Sequence, residues 1–132
     1  MALTHMLDTD TCIYVLNSRG GLAGRLERNA GETCMSSITY GELFYGAENS
    51  QRVEANISLL QAFRLLVPVL PFDDEAASHF GAIKAHLRRA GTPCGPYDML
   101  IGGHARSLDM TLVTNNGREF DRMPGLKVEN WL

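Results

Sequence analysis

The sequence predicts an α/β fold: a mostly parallel sheet of about four to five short strands with helices on both faces. Short strand-like runs alternate with longer helical patterns along most of the chain, which implies crossover connections. No repeat, low-complexity segment or linker divides the 132 residues, so one domain spanning 1–132 is expected. Hydrophobic residues make up 45% and charged residues 20%, ordinary values for a globular chain that argue against disorder. A chain of this length buries roughly two-thirds of its unfolded surface and needs no disulfide or metal to fold.

The elements follow in order. Met6-Leu7 is a buried strand ending at Asp8, and Thr9-Asp10-Thr11 offers N-caps to a helix through Leu16. Gly20-Gly21 breaks that helix, and a second runs from about Leu22 to Asn29, with Gly31 as its stop signal. Thr33-Cys34-Met35-Ser36 is strand two. Ser37 or Thr39 caps the next helix, which carries Glu42, Leu43 and Tyr45 and ends near Gly46. From Arg52 to Leu66, Val53, Ile57, Leu60 and Phe63 recur at helical spacing, so one face is apolar. Val67-Pro68-Val69-Leu70 is a short strand whose proline predicts an edge or a strand start. Asp73 to Ala90 is the longest helix, capped by Asp73 or Asp74 and stopped by Gly91. Residues 92–96 form a stiff turn that delivers Tyr97-Asp98 to a helix reaching about Leu108. Strand Thr111–Thr114, the turn Asn115-Asn116-Gly117, a helical turn from Arg118 to Met123 and a last strand Leu126–Val128 complete the chain.

Several classes are excluded or disfavoured. Three scattered cysteines, at 12, 34 and 94, imply no disulfide framework and favour a reducing cytoplasm. No apolar run approaches the ~18 residues of a membrane span, and the first element begins too early for a signal peptide. No CxxC or HExxH spacing supports a zinc site. A net charge of −3 argues against a general DNA-coating protein, yet not against a nuclease, whose metal-holding acids lower the charge themselves.

Ligands in parallel α/β sheets bind outside the carboxyl ends of strands. Four acids sit where that edge is expected. Asp8 follows a strand, Asp98 opens a helix behind Gly95-Pro96, Glu42 lies in the apolar segment 38–46, and Glu119 follows Thr114-Asn115-Asn116. Each also has a plainer reading: Asp8 and Asp98 as helix caps, Glu42 in a salt bridge, Glu119 as a first-turn acid.

The arrangement resembles the PIN-domain ribonuclease toxins of VapBC toxin–antitoxin systems. The likeness rests on Leu7-Asp8-Thr9-Asp10, Ser37-Ile38-Thr39-Tyr40-Gly41-Glu42-Leu43, Gly95-Pro96-Tyr97-Asp98-Met99-Leu100-Ile101 and Val113-Thr114-Asn115-Asn116-Gly117-Arg118-Glu119-Phe120, and covers nearly the whole chain. The closing stretch from Pro124 to Trp131 is also similar, and the likeness is strongest to enterobacterial members. It implies a three-layer PIN fold. It implies that Asp8 and Asp98 hold a divalent metal, Mg²⁺ or Mn²⁺, that Glu42 is the acid of the second motif, and that Glu119 serves where the usual fourth aspartate is absent. Asp10 stands where these toxins usually have Asn, and Asn115 or Asn116 where they have that fourth aspartate.

A carboxylate cluster repels itself, and a hard cation with oxygen ligands relieves this. In-line attack by a metal-activated water on RNA follows as the expected chemistry, and the resemblance implies products with 5′-phosphate and 3′-hydroxyl ends. Thr114, Asn115, Asn116 and Arg118 are candidate substrate contacts, with turn chemistry or a solvated helix face as the alternative. Arg122 and the cluster Lys84, Arg88 and Arg89 are ambiguous in the same way, and Arg88-Arg89 also suits a helix C-terminus.

Two other readings compete. Asp8-Thr9-Asp10-Thr11 also resembles the first motif of haloacid-dehalogenase-type phosphatases, which need a later Lys and a paired-acid motif; Asp73-Asp74 opens a helix instead. A catalytically inactive PIN binding module is the second. For partners, the resemblance implies a VapB-type antitoxin that wraps the toxin, a homodimer, operator DNA bound only through the antitoxin, and an RNA substrate. That substrate is expected to be tRNA, with the initiator tRNA anticodon loop as first candidate. The apolar faces of Ile38–Tyr45 and Val53–Phe63 are candidate interfaces or ordinary core.

Overall fold

The computed structural model describes residues 2–17 and 22–131. The expected break at Gly20-Gly21 lies outside the described residues. The chain runs β1 (His5–Leu7), α1 (Thr9–Leu16), α2 (Leu22–Arg28), β2 (Thr33–Ser36), α3 (Ser37–Glu48) and α4 (Val53–Leu66). It continues through β3 (Val69–Leu70), α5 (Asp74–Ala90), α6 (Pro96–Ser107), β4 (Thr111–Val113), α7 (Gly117–Phe120) and β5 (Lys127–Glu129). All strand pairs are parallel, in the order β3-β2-β1-β4-β5.

The strands are apolar at consecutive positions because both faces are covered. Met6 pairs with Cys34 and Leu112, and these three point into one core with Ile83 and Leu87 of α5 and Ile101 of α6. Their neighbours Leu7, Met35 and Val113 point the other way, onto Cys12, Leu43, Leu60 and Phe63 of α1, α3 and α4. Connection handedness explains the split. The chain steps outward from β1 through β2 to β3, then crosses back to β4, and right-handed crossovers in opposite directions lay their helices on opposite faces. β3 is an edge strand, which accommodates Pro68 just before it.

Local chemistry sets most helix ends. Asp73 caps α5 by accepting the Ala76 N–H, and Gly91 closes it in the left-handed region at φ 71°. Other ends differ from expectation. The cap of α3 is Ser36, whose hydroxyl accepts the Ile38 N–H; Ser37 is diverted to the Phe72 N–H, and Thr39 is buried. That helix runs past Gly46 to Glu48 because Ala47 still packs inward. Asp8 itself, not the Thr9–Thr11 run, caps α1. The last strand lies one residue later than expected. On α4 the inward face of Leu60 and Phe63 is ordinary core, whereas Leu59, Leu65 and Leu66 are exposed.

Candidate active site

β1 lies at the sheet's topological switch point: the chain leaves it toward β2 and later returns on its other side as β4. A crevice opens where such neighbours diverge, outside their carboxyl ends. Asp8 follows β1 there and Thr114 follows β4. Asp8 Oδ1 accepts the Thr11 N–H at 2.8 Å while the Thr114 hydroxyl donates to the same carboxylate. Thr114 Oγ1 in turn accepts the Asn116 N–H at 2.9 Å. Burial pushes the Asp8 carboxyl up, and the Thr114 and Thr11 hydrogen bonds pull it partly back. Thr114 is 1% exposed with its hydroxyl engaged on both sides, so it orients Asp8 instead of offering a surface contact to substrate.

Gly95 forms the N-cap of α6 and Pro96 its first turn, a start that needs no N–H from residue 96. Asp98 sits in that first turn and makes no capping bond, so the cap reading fails. Burial, then Glu119, then Asp8 and Asp10 push its carboxyl up to about 7. Glu119 moves the opposite way. Burial raises it, but hydrogen bonds from the Gly95 N–H and from Asn116 Nδ2 at 3.0 Å outweigh that and hold it low. The two carboxyls share a hydrogen bond and titrate as a pair, with Asp98 pushed up and Glu119 held down. Phe120, fully buried, anchors α7 beneath this pair with roughly 1.5–3 kcal/mol of apolar burial.

Glu42 is half-buried on α3 and forms no ion pair among the described residues; its Oε1 accepts the Thr9 hydroxyl at 2.6 Å. Thr9 thus ties the second-motif acid to the residue after Asp8. Exposed Asp10 lines one groove with Thr9, Glu42, Tyr45 and Tyr97. The structure brings Asp8, Asp10 and Glu119 into electrostatic range of Asp98, with Glu42 joined to the segment after Asp8 through Thr9. The Asn115 side chain makes no hydrogen bond among the described residues, and Arg118 is exposed beside Glu119. Sequence reasoning missed Thr9 and the Gly95 N–H as site-building groups. The signal for Thr9 was its place between two acids; nothing local marks Gly95 as the partner of a residue 24 positions later.

The donor set fits a hard cation. It is all carboxylate oxygen, and burial and the neighbouring acids push the Asp98 carboxyl up, the strain that a cation relieves. Among the described residues no three acidic, His or Cys side chains close into a full cage. That suits Mg²⁺ or Mn²⁺, bound by one or two carboxylates and otherwise by water, and not a structural zinc. The three cysteines are free, burial raises each thiol, and Asp73 is occupied as a helix cap. These features leave a thiol nucleophile and a phosphatase-type acid pair without support.

The PIN domain family model matches residues 5–126. The chain is 46% identical to the tRNA(fMet)-specific endonuclease VapC of Shigella flexneri and 47% identical to that of Salmonella typhimurium, in each case over 98% of both chains. Among solved structures, DNA-bound VapBC from Salmonella typhimurium superposes with a TM-score of 0.95 at 46% identity, covering 98% of this chain and 99% of that one. VapBC2 from Rickettsia felis bound to a promoter DNA fragment gives 0.92 at 36% identity, with 100% of both chains covered. With its parallel sheet, its acids at the switch point and these full-length likenesses, the chain belongs to the PIN-domain family and, within it, to the VapC ribonucleases.

Proposed function

We propose that the chain is a Mg²⁺- or Mn²⁺-dependent endoribonuclease toxin that cleaves tRNA, with the initiator tRNA anticodon loop as its target, and so inhibits translation. The observation that carries this is the meeting of Asp8, Asp98 and Glu119, from three distant segments, in the crevice between β1 and β4. The substrate follows from likeness to tRNA(fMet)-specific relatives.

Asp8 and Asp98 would hold the ion. When bound, it supplies Lewis acidity at a phosphodiester and a lowered pKa for water. The chain's own residues do the rest. Thr114 and Thr11 fix the Asp8 carboxylate, Glu119 holds Asp98 and the start of α6, and Thr9 orients Glu42 toward the groove. Asn115 and Arg118 would touch RNA phosphates, and Asn116 ties Glu119 in place.

A VapB-type antitoxin is the expected partner, with operator DNA engaged through it; both superposed structures are VapBC assemblies on DNA. The groove between α1, α3 and α4, lined by Ile13, Leu16, Leu43, Ala47 and Leu59, suits an apolar antitoxin segment. Exposed Leu65 and Leu66 suit a homodimer contact. The test is cleavage of initiator tRNA by purified protein with Mg²⁺, with and without excess EDTA. Cleavage abolished by EDTA and restored by Mg²⁺ or Mn²⁺ is expected; EDTA-resistant cleavage overturns the metal mechanism.

A further inference from the structure

We infer that the RNA backbone leaves the acid cluster along a cationic track formed by Arg122, Arg88 and Lys84. The inference rests on the ribonuclease reading above and names the residues that position the substrate strand.

Lys84 and Arg88 are four residues apart on α5 and share a face. They line one groove with Leu87, Pro93 and Met99. Two of its lining residues are near neighbours of the acid site along the chain: Met99 follows Asp98, and Pro93 precedes Gly95 by two residues, a reach of at most about 7 Å. Arg122 is exposed near the same turn. Its charge acts on Cys94, whose thiol donates to the Glu119 carbonyl at 3.5 Å. Arg122 on one side and Arg88 with Lys84 on α5 thus flank the turn that carries Cys94 and Gly95.

None of the three forms an ion pair among the described residues, although acids outnumber bases in the chain. An RNA strand entering a crevice that holds Asp8, Asp10, Asp98 and Glu119 is repelled by them. Cations within a Debye length of about 8–10 Å offset that repulsion, and phosphate contacts supply most sequence-independent affinity. The helix dipole explains a basic last turn, but it favours Arg89 as much as Arg88 and does not reach Lys84, a full turn earlier. Arg89, rotated about 100° away on the helix, does not line the groove.

The experiment compares steady-state cleavage of initiator tRNA by wild type, K84A/R88A, and R28A/R89A, which removes the same charge from exposed positions off the track. For K84A/R88A the expected result is kcat/KM about tenfold lower at ~50 mM salt, through KM, with unchanged kcat and melting temperature. The deficit shrinks by about sevenfold on raising salt to ~200 mM, because each lost single-strand phosphate contact removes about 0.7 from the log–log slope. R28A/R89A stays near wild type, and K84R/R88K restores KM. Equal KM and equal salt slope in K84A/R88A and wild type, or equal losses in both double variants, overturn the track while leaving the ribonuclease reading intact. No cleavage of any RNA by wild type with Mg²⁺ overturns that reading and the track with it.

Discussion

Glu119 on α7 accepts the backbone N–H of Gly95, so the residue that completes the acid cluster also pins the start of the helix bearing Asp98. The bond joins two segments that share no strand pairing. With the Asn116 contact, it holds the Glu119 carboxyl low beside an Asp98 carboxyl that is pushed up.

Glu119→Gln separates these two roles. Gln still accepts the Gly95 N–H, so stability should fall by no more than about 1 kcal/mol. Removing the charge takes away the main electrostatic pressure on Asp98, whose carboxyl should then ionise at lower pH. Cleavage should slow, and the acid limb of the pH–rate profile should move down. A wild-type profile in this variant would show that Glu119 only closes the turn.

Asp98→Asn tests the self-repulsion of the cluster. The Asp98 carboxyl has its ordinary value of 3.8 when unfolded and about 7 when folded. Its contribution is therefore full below about 3.8 and is lost as pH rises through about 7. In EDTA at alkaline pH the Asn variant should melt a few degrees above wild type, on the order of 1 kcal/mol after solvent screening. The two should converge near pH 4, and Mg²⁺ should stabilise wild type more than the variant. Cleavage should be lost. Identical melting at every pH would mean that Asp98 is not under electrostatic strain.

His104 gives a second pH signature, of opposite sign. It is 1% exposed, lies within 2.8 Å of the Ser36 hydroxyl that caps α3, and meets Phe72 edge-on. Burial holds it below its ordinary 6.5, despite Asp73 nearby. Its contribution is present above 6.5 and is lost as pH falls through the depressed folded value. Urea unfolding between about pH 5 and 8 should show stability dropping toward acid, with a flatter dependence in His104→Asn. An unchanged slope in that variant would assign the acid sensitivity elsewhere.

Gly103 and Gly102 predict unequal costs. A Cβ on Gly103 would lie 2.7 Å from the Phe80 backbone N, which cannot yield without moving α5 away from α6. On Gly102 the nearest atom, at 2.5 Å, is the Met123 sulfur, at the end of a flexible side chain. Gly103→Ala should destabilise by about 1–3 kcal/mol or more, and Gly102→Ala by clearly less, in denaturant titrations. The reverse order would mean that the helices give more readily than the side chain.

Much of this protein is legible locally. Met6-Leu7 and Leu112-Val113 read as buried strands because a doubly covered parallel strand needs apolar residues on both of its faces. Asp73 and Gly91 mark the ends of α5 because a cap is made by the residues beside it. The acids, too, are visible as residues placed after strands and turns.

Tertiary structure decided the partners of the polar groups that reach across the fold. Ser36 and Ser37 are adjacent hydroxyls, and Ser36 became the cap because Phe72, 35 residues beyond Ser37, claims the other. Glu42 found Thr9, 33 residues away, in place of a cation. The upward push on the Asp98 carboxyl depends on its burial and on Glu119, Asp8 and Asp10, which no local window contains. Periodicity and capping are properties of neighbours along the chain. Hydrogen-bond partners and charge states depend on distances that exist only once the crossovers have packed β1 beside β4 and closed α7 onto the start of α6.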